Sequence, residues 1–122
     1  MNRAERGRAA EELAADYFRG AGYAVLARNF RSPYGELDLV LERREIVVFV
    51  EVRSKGGTRF GTGLESVGPR KQRRLARLAA SFLARHRLEN RRARFDVVGV
   101  EWQDGRPRID HVENAFEVRE NS

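Results

Sequence analysis

Glu36-Leu37-Asp38-Leu39-Val40-Leu41 and, a few residues later, Ile46-Val47-Val48-Phe49-Val50-Glu51-Val52-Arg53 are the stretches that decide how this chain folds. Five apolar residues in a row precede Glu51, and such a run reads as a strand covered on both faces. The short link around Arg43-Arg44 predicts an antiparallel hairpin, although it lacks the Asn-Gly or Asp-Gly pair that most often closes one. Both strands carry an acid where a buried strand should be apolar. Taking even a neutral polar group out of water costs about 2–7 kcal/mol. Asp38 and Glu51 therefore need a partner: a cation, a hydrogen-bond network or a metal ion.

Alternation across a strand puts Glu36 and Asp38 on one face and Leu37, Leu39 and Leu41 on the other. By the same rule Glu51 and Arg53 share a face, opposite Val50 and Val52. If the hairpin pairs as predicted, Asp38 and Glu51 converge at one end of the sheet. Two carboxylates so placed repel each other and invite a hard divalent cation, Mg²⁺ or Mn²⁺.

Outward from the hairpin, residues 3–19 read as an amphipathic helix with Ala10, Leu13, Ala14, Tyr17 and Phe18 on one face, stopped by Gly20 and Gly22. Tyr23 to Phe30 reads as a strand, and Ser32-Pro33-Tyr34-Gly35 as a turn. Lys55 to Gly63 is a glycine-rich loop without the Gly-Lys-Ser/Thr of a phosphate-binding loop. Pro69 opens a second helix with Leu75, Leu78, Ala79, Phe82 and Leu83 on its buried face. Residues 94–102 form a strand, Asp104-Gly105 a turn, and Ile109 to Val118 a weaker strand or extended tail. The expected fold is α/β, in the order α-β-β-β-α-β-β: a mixed sheet of four or five strands flanked by two helices, with the acids at one edge. The 122 residues make one domain, 1–122.

The chain contains no cysteine, which excludes a disulfide scaffold, a thiolate zinc site and a cysteine nucleophile, and fits a reducing cytoplasm. No apolar run approaches the roughly 20 residues that span a bilayer, and no secretory apolar segment follows the N-terminal arginines. A soluble cytoplasmic protein without a membrane partner is expected. The net charge of +6 is concentrated: between Ser66 and Phe95 ten Lys/Arg face a single acid, Glu89. Basic charge gathered in one segment is the footprint of a polyanion binder, though solvated helix faces in an arginine-rich chain would give the same count.

Acids on neighbouring strands, with a cation two positions after the second, resemble the PD-(D/E)xK nucleases of restriction-endonuclease-like fold. More closely, the chain resembles the YraN-like family of small bacterial proteins. The likeness runs from the first helix to Phe95-Asp96-Val97-Val98. It rests on Gly35-Glu36-Leu37-Asp38-Leu39-Val40, Val48-Phe49-Val50-Glu51-Val52-Arg53, Arg59-Phe60-Gly61 and Pro69-Arg70-Lys71-Gln72. Archaeal Holliday-junction resolvases share the core order. The resemblance implies a metal-dependent endonuclease acting on DNA, on branched or damaged forms among others, and working as a homodimer in resolvase-like relatives.

Carried onto this chain, the resemblance makes Asp38 and Glu51 metal ligands and catalytic residues, and Glu11 the helix-borne acid that completes the site, ahead of Glu12. Arg53 takes the place of the motif lysine. Gln72 resembles a glutamine that assists the site, and Arg70, Lys71, Arg73, Arg74 and Arg77 supply the nucleic-acid contacts with it. Arginine stays protonated, so Arg53 can clamp a phosphate but cannot act as a base. Lys55 is a second candidate for that role, although Gly56-Gly57 interrupts the strand. Three other readings compete: a non-catalytic nucleic-acid-binding module, a protein-interaction subunit whose basic face meets an acidic partner, and a purely structural pairing of Asp38 and Glu51 with Arg53 and Arg31. Asp96 receives no role. His86 and His111 are isolated, without zinc-type spacing, and read as surface residues. Tyr34 and Trp102 read first as core or rim packing residues, with stacking on bases as the alternative.

Overall fold

A computed structural model describes residues 1–56 and 67–116, with the side chains of Lys55 and Gly56 excepted. In chain order the elements are α1 (Arg3–Gly20), β1 (Ala24–Ser32), β2 (Gly35–Arg43), β3 (Ile46–Gly56), α2 (Pro69–Arg85), β4 (Arg92–Gln103) and β5 (Arg106–Phe116). This is the α-β-β-β-α-β-β order expected. β3 takes in Lys55 and Gly56, which the glycine pattern assigns to a loop. The rest of that stretch, with Arg59-Phe60-Gly61, lies outside the described residues, as does Val118.

Both helices begin for reasons visible in the sequence. Asn2 Oδ1 accepts from the Glu5 amide at 2.8 Å, and Glu5 Oε1 accepts from the Asn2 amide at 3.1 Å. This reciprocal cap satisfies two amides that a helix start leaves orphaned. In α2, Pro69 stands at the first helical position, where its missing N–H costs nothing.

The five strands lie in the order β1-β2-β3-β4-β5. All neighbours are antiparallel except β3 and β4, which run parallel, and α2 is the crossover that a parallel pair requires. The β2–β3 hairpin closes at Arg43 opposite Ile46, so Arg44 and Glu45 form a two-residue turn. Arg44 takes the left-handed backbone (φ 58°) that Asn or Gly supplies more easily. Arg91 braces it, with its guanidinium on the Glu42 carboxylate and on the Arg44 carbonyl. Asp104 and Gly105 both have positive φ, as the tight β4–β5 turn needs.

Each face of the sheet carries one helix. Ala10, Ala14, Ala15 and Phe18 of α1 pack on Leu39, Leu41, Val48, Val50, Val98 and Val100. Leu75, Leu78, Ala79 and Phe82 of α2 pack on Val40, Val47, Phe49 and Val97. Val47 to Val50 are all buried, as a strand covered on both faces requires. Leu37 departs from the expected alternation. It belongs to the α2-side cluster rather than with Leu39 and Leu41, although it stays paired with Phe30 of β1.

His111 corrects the surface assignment, and Asp96, given no role from the sequence, anchors a network with it. The Asp96 side chain is fully buried. It accepts from Arg94 Nε and Nη2, both at 2.9 Å, and from the Asn114 amide at 2.9 Å. His111 Nε2 lies 2.7 Å from Asp96 Oδ2, and His111 Nδ1 lies 2.9 Å from the Tyr17 hydroxyl. Arg94 also donates to the Tyr23 hydroxyl at 2.8 Å. The network ties α1 to β4 and β5 across the α1 face. Tyr17, expected on the buried face of α1, is 40% exposed and serves the network through its hydroxyl.

Candidate active site

The β2–β3 ladder ends where Leu39 faces Val50, one residue before Asp38 and Glu51 would pair. β3 continues alongside β4 as far as Gly56, so β2 and β3 part while β3 stays in the sheet. Asp38 bridges the opening: its Oδ2 accepts from the Val52 amide at 2.8 Å, replacing a backbone partner. The opening is a pocket of about 90 Å³ lined by Glu36, Asp38, Glu51, Lys71 and Arg74, with Val50 and Leu75 as its apolar wall. Because β2 and β3 are inner strands, the acids sit at one end of the sheet between central strands, not at its edge. A roomier open depression of about 420 Å³, toward the starts of β3 and β4, brings no carboxylate to its wall.

Burial raises the Asp38 carboxyl to a pKa of about 6. The Val52 amide opposes the rise, and the charges of Glu11, Glu51 and Glu36 add to it. Glu11 reaches toward the same region from α1. Burial raises its pKa too, against a hydrogen bond from Asn29, with Glu36 adding repulsion. Asn29 stands in β1 with a left-handed backbone (φ 52°), a conformation asparagine tolerates better than most residues. Glu51 carries two cations: the Lys71 ammonium on Oε1, and Arg53 Nη2 on Oε2 at 3.1 Å.

Asp38, Glu51 and Lys71 thus meet in one pocket, and Arg53 joins them through Glu51. Glu11 is near enough to repel Asp38 but does not line the pocket. Glu12 faces outward, paired with Arg28 at 2.5 Å. Glu36 pairs with Arg31 at 3.2 Å. Gln72 is turned away, its amide donating to the Val67 carbonyl at 2.6 Å. Arg70, Arg73, Arg74 and Arg77 are exposed along α2, with Arg74 at the pocket rim.

Among the described residues no three acids or histidines lie close enough to hold a metal ion unaided. Two carboxylates nevertheless suit Mg²⁺, which keeps most of its waters and is commonly held by one or two carboxylates plus substrate phosphate. The electrostatics agree, since Asp38 resists ionising among other acids and the Lys71 ammonium stands on Glu51 where a cation would relieve the same repulsion. Lys71 was legible only as part of a basic run. Its signal was rarity, for it is one of two lysines in a chain of twenty-two arginines.

Fold and site together define a small α/β protein whose acids gather where two central strands part, beside the basic start of a crossover helix. The chain belongs to the uncharacterised protein family UPF0102, whose model matches residues 10–100. A UPF0102 protein of Syntrophomonas wolfei is 47% identical over 95% of this chain and all of its own. One from Symbiobacterium thermophilum is 48% identical over 90% of this chain and 94% of its own. A third, from Pseudomonas aeruginosa, is 46% identical over 93% and 94%.

Proposed function

We propose that this chain is a divalent-cation-dependent endonuclease of restriction-endonuclease-like kind, acting on DNA in the cytoplasm. The observation that carries the reading is Asp38, a half-buried acid with its pKa raised to about 6, facing Glu51 and Lys71 in the gap between β2 and β3. Strongly perturbed acids beside a cation in a cleft mark functional sites more often than structural ones. Asp38 and Glu51 would hold Mg²⁺ or Mn²⁺, with Glu11 acting on the ion through water. The ion would polarise the phosphate and lower the pKa of a bound water.

The protein's own groups do the rest. Arg53 is held against Glu51, where a planar guanidinium can clamp a phosphate. Lys71 supplies the compact, mobile ammonium that Arg53 cannot. Where Glu51 would hold the ion, the Lys71 ammonium now paired with it would be free to face the phosphate or a water. The motif lysine is thereby replaced from α2 rather than from β3. Arg70, Arg73, Arg74 and Arg77 line the approach at a helix N-terminus, where backbone amides and the helix dipole also favour anions.

The test is cleavage of single-stranded, duplex and four-way-junction DNA in Mn²⁺ by purified protein. Asp38→Asn keeps an acceptor for the Val52 amide and should cost more than about 100-fold in rate, the upper range for losing a supporting contact at a metal site. Lys71→Met should cost about 10- to 100-fold in rate. Cleavage that survives Asp38→Asn contradicts the reading. A second reading, a binding module without cleavage, is favoured by one observation: Glu51 is already saturated by Lys71 and Arg53. It predicts salt-sensitive binding and no nicking in any variant.

A further inference from the structure

The β1–β2 turn carries an aromatic ring that the proposed chemistry does not use. Tyr34 is 47% exposed, yet the turn that holds it is firmly seated. Its amide donates to Ser32 Oγ at 3.1 Å. Gly35 follows with φ 133°, and a methyl group there would meet Arg74 Cδ and Leu78 Cδ1 of α2 at 3.7 Å. The turn therefore rests on the second helix. From that helix the Arg77 guanidinium reaches over the Tyr34 ring, 5.8 Å from its centroid. One exposed tyrosine is ordinary; a tyrosine held beside a guanidinium on a track to an acidic pocket is not. Arg74, one helical turn before Leu78, lines that pocket, and so does Glu36, two residues beyond Tyr34.

We propose that Tyr34, with Arg77 against it, is a stacking platform for an unpaired nucleobase, so that DNA reaches the acidic pocket with a single-stranded segment. The inference rests on the reading of this chain as a DNA-acting protein and names its substrate form. Bases inside a duplex present only their edges, because their faces are covered by neighbouring pairs. A tyrosine ring needs a free face, which single strands, branch points and frayed ends offer. The guanidinium adds a phosphate contact and a second planar surface. Asp38 lies four positions after Tyr34, about 13 Å along a strand. At roughly 3.4 Å per stacked nucleotide, the stacked base lies about four nucleotides from the phosphate at the pocket.

The experiment is binding of the full chain, without divalent metal, to a fluorescent single strand of about 12 nucleotides and to the matching duplex. Wild type, Tyr34→Ala and Tyr34→Phe are compared, and a set of strands carries one abasic position at each site in turn. Tyr34→Ala should bind the single strand about tenfold more weakly, Tyr34→Phe should bind like wild type, and duplex affinity should not move. One abasic position should weaken wild type about tenfold and leave Tyr34→Ala nearly unaffected, which a lost charge or a disturbed fold would not reproduce. Unchanged single-strand affinity in Tyr34→Ala, or an equal loss on duplex, overturns the platform. Absence of any DNA binding by wild type overturns it together with the parent reading. Binding that follows the expected pattern without cleavage in Mn²⁺ supports the platform and rejects the nuclease.

Discussion

Asp38 is half-buried and Asp96 buried, and their surroundings move the two acids in opposite directions. Burial pushes each upward. At Asp96, His111, Arg94 and the Asn114 amide together outweigh burial and hold the carboxyl below its usual range. At Asp38 one amide faces three acids, and the carboxyl rises to about 6. The two acids therefore shape stability against pH differently. The stabilising contribution of Asp96 is present above its unfolded value near 4 and is lost as pH falls through its depressed folded value. The contribution of Asp38 is complete below about 4 and is lost as pH rises through about 6, at a cost of up to about 3 kcal/mol at neutral pH. Asp38→Asn should remove that decline. Urea unfolding of chelator-treated protein between pH 4 and 8 should find the variant more stable than wild type at pH 7 and equal to it near pH 4. Asp38 and Glu51 were legible because an acid inside an apolar run needs explaining. Asp96 and His111 were not, because their partners come from α1, β4 and β5, and only the folded sheet brings those together.

Among the elements, α2 departs most from what a helix prefers. Its first turn holds no acid, although negative charge there would suit the dipole. Arg70 and Lys71 stand there instead, an arrangement that favours an anion outside the helix. Arg70→Glu should stabilise the protein by about 0.3–1 kcal/mol while weakening DNA binding. Thermal unfolding and a DNA titration read the two effects separately. The tie among α1, β4 and β5 behaves differently: Asp96→Ala takes the nearest carboxylate from Arg94 and His111 together and should cost about 3–5 kcal/mol in urea unfolding. Pro69 and the spacing of Leu75, Leu78 and Phe82 made the extent and buried face of α2 readable. Periodicity does not say which polar side chain turns inward, so Lys71 on Glu51 and Gln72 on Val67 emerged only with the fold. The alternation of β2 also failed at Leu37, which packs with the α2-side cluster although its pairing with β1 is unbroken.

At the scale of the molecule, charge and topology point to the same end of the sheet. The element order could be read from the alternation of apolar runs and glycine or proline punctuation. The β2–β3 hairpin, with its arginine-bearing turn, was legible from spacing alone. What could not be read was the parting of β2 from β3, which makes the pocket and requires β4 beside β3. Salt should report the basic face directly: DNA affinity should fall steeply with ionic strength, and removal of Arg73 or Arg77 should each lower the slope by about 1. The most direct check is a calorimetric titration of Mn²⁺ into metal-free protein at pH 6, with wild type beside Asp38→Asn. Wild type should bind one ion in the acidic pocket and release protons as it does so, because burial raises the Asp38 carboxyl to a pKa of about 6; Asp38→Asn should bind far more weakly and release fewer. Binding of equal strength in both proteins, or none in wild type, would contradict a cation site built on Asp38 and Glu51.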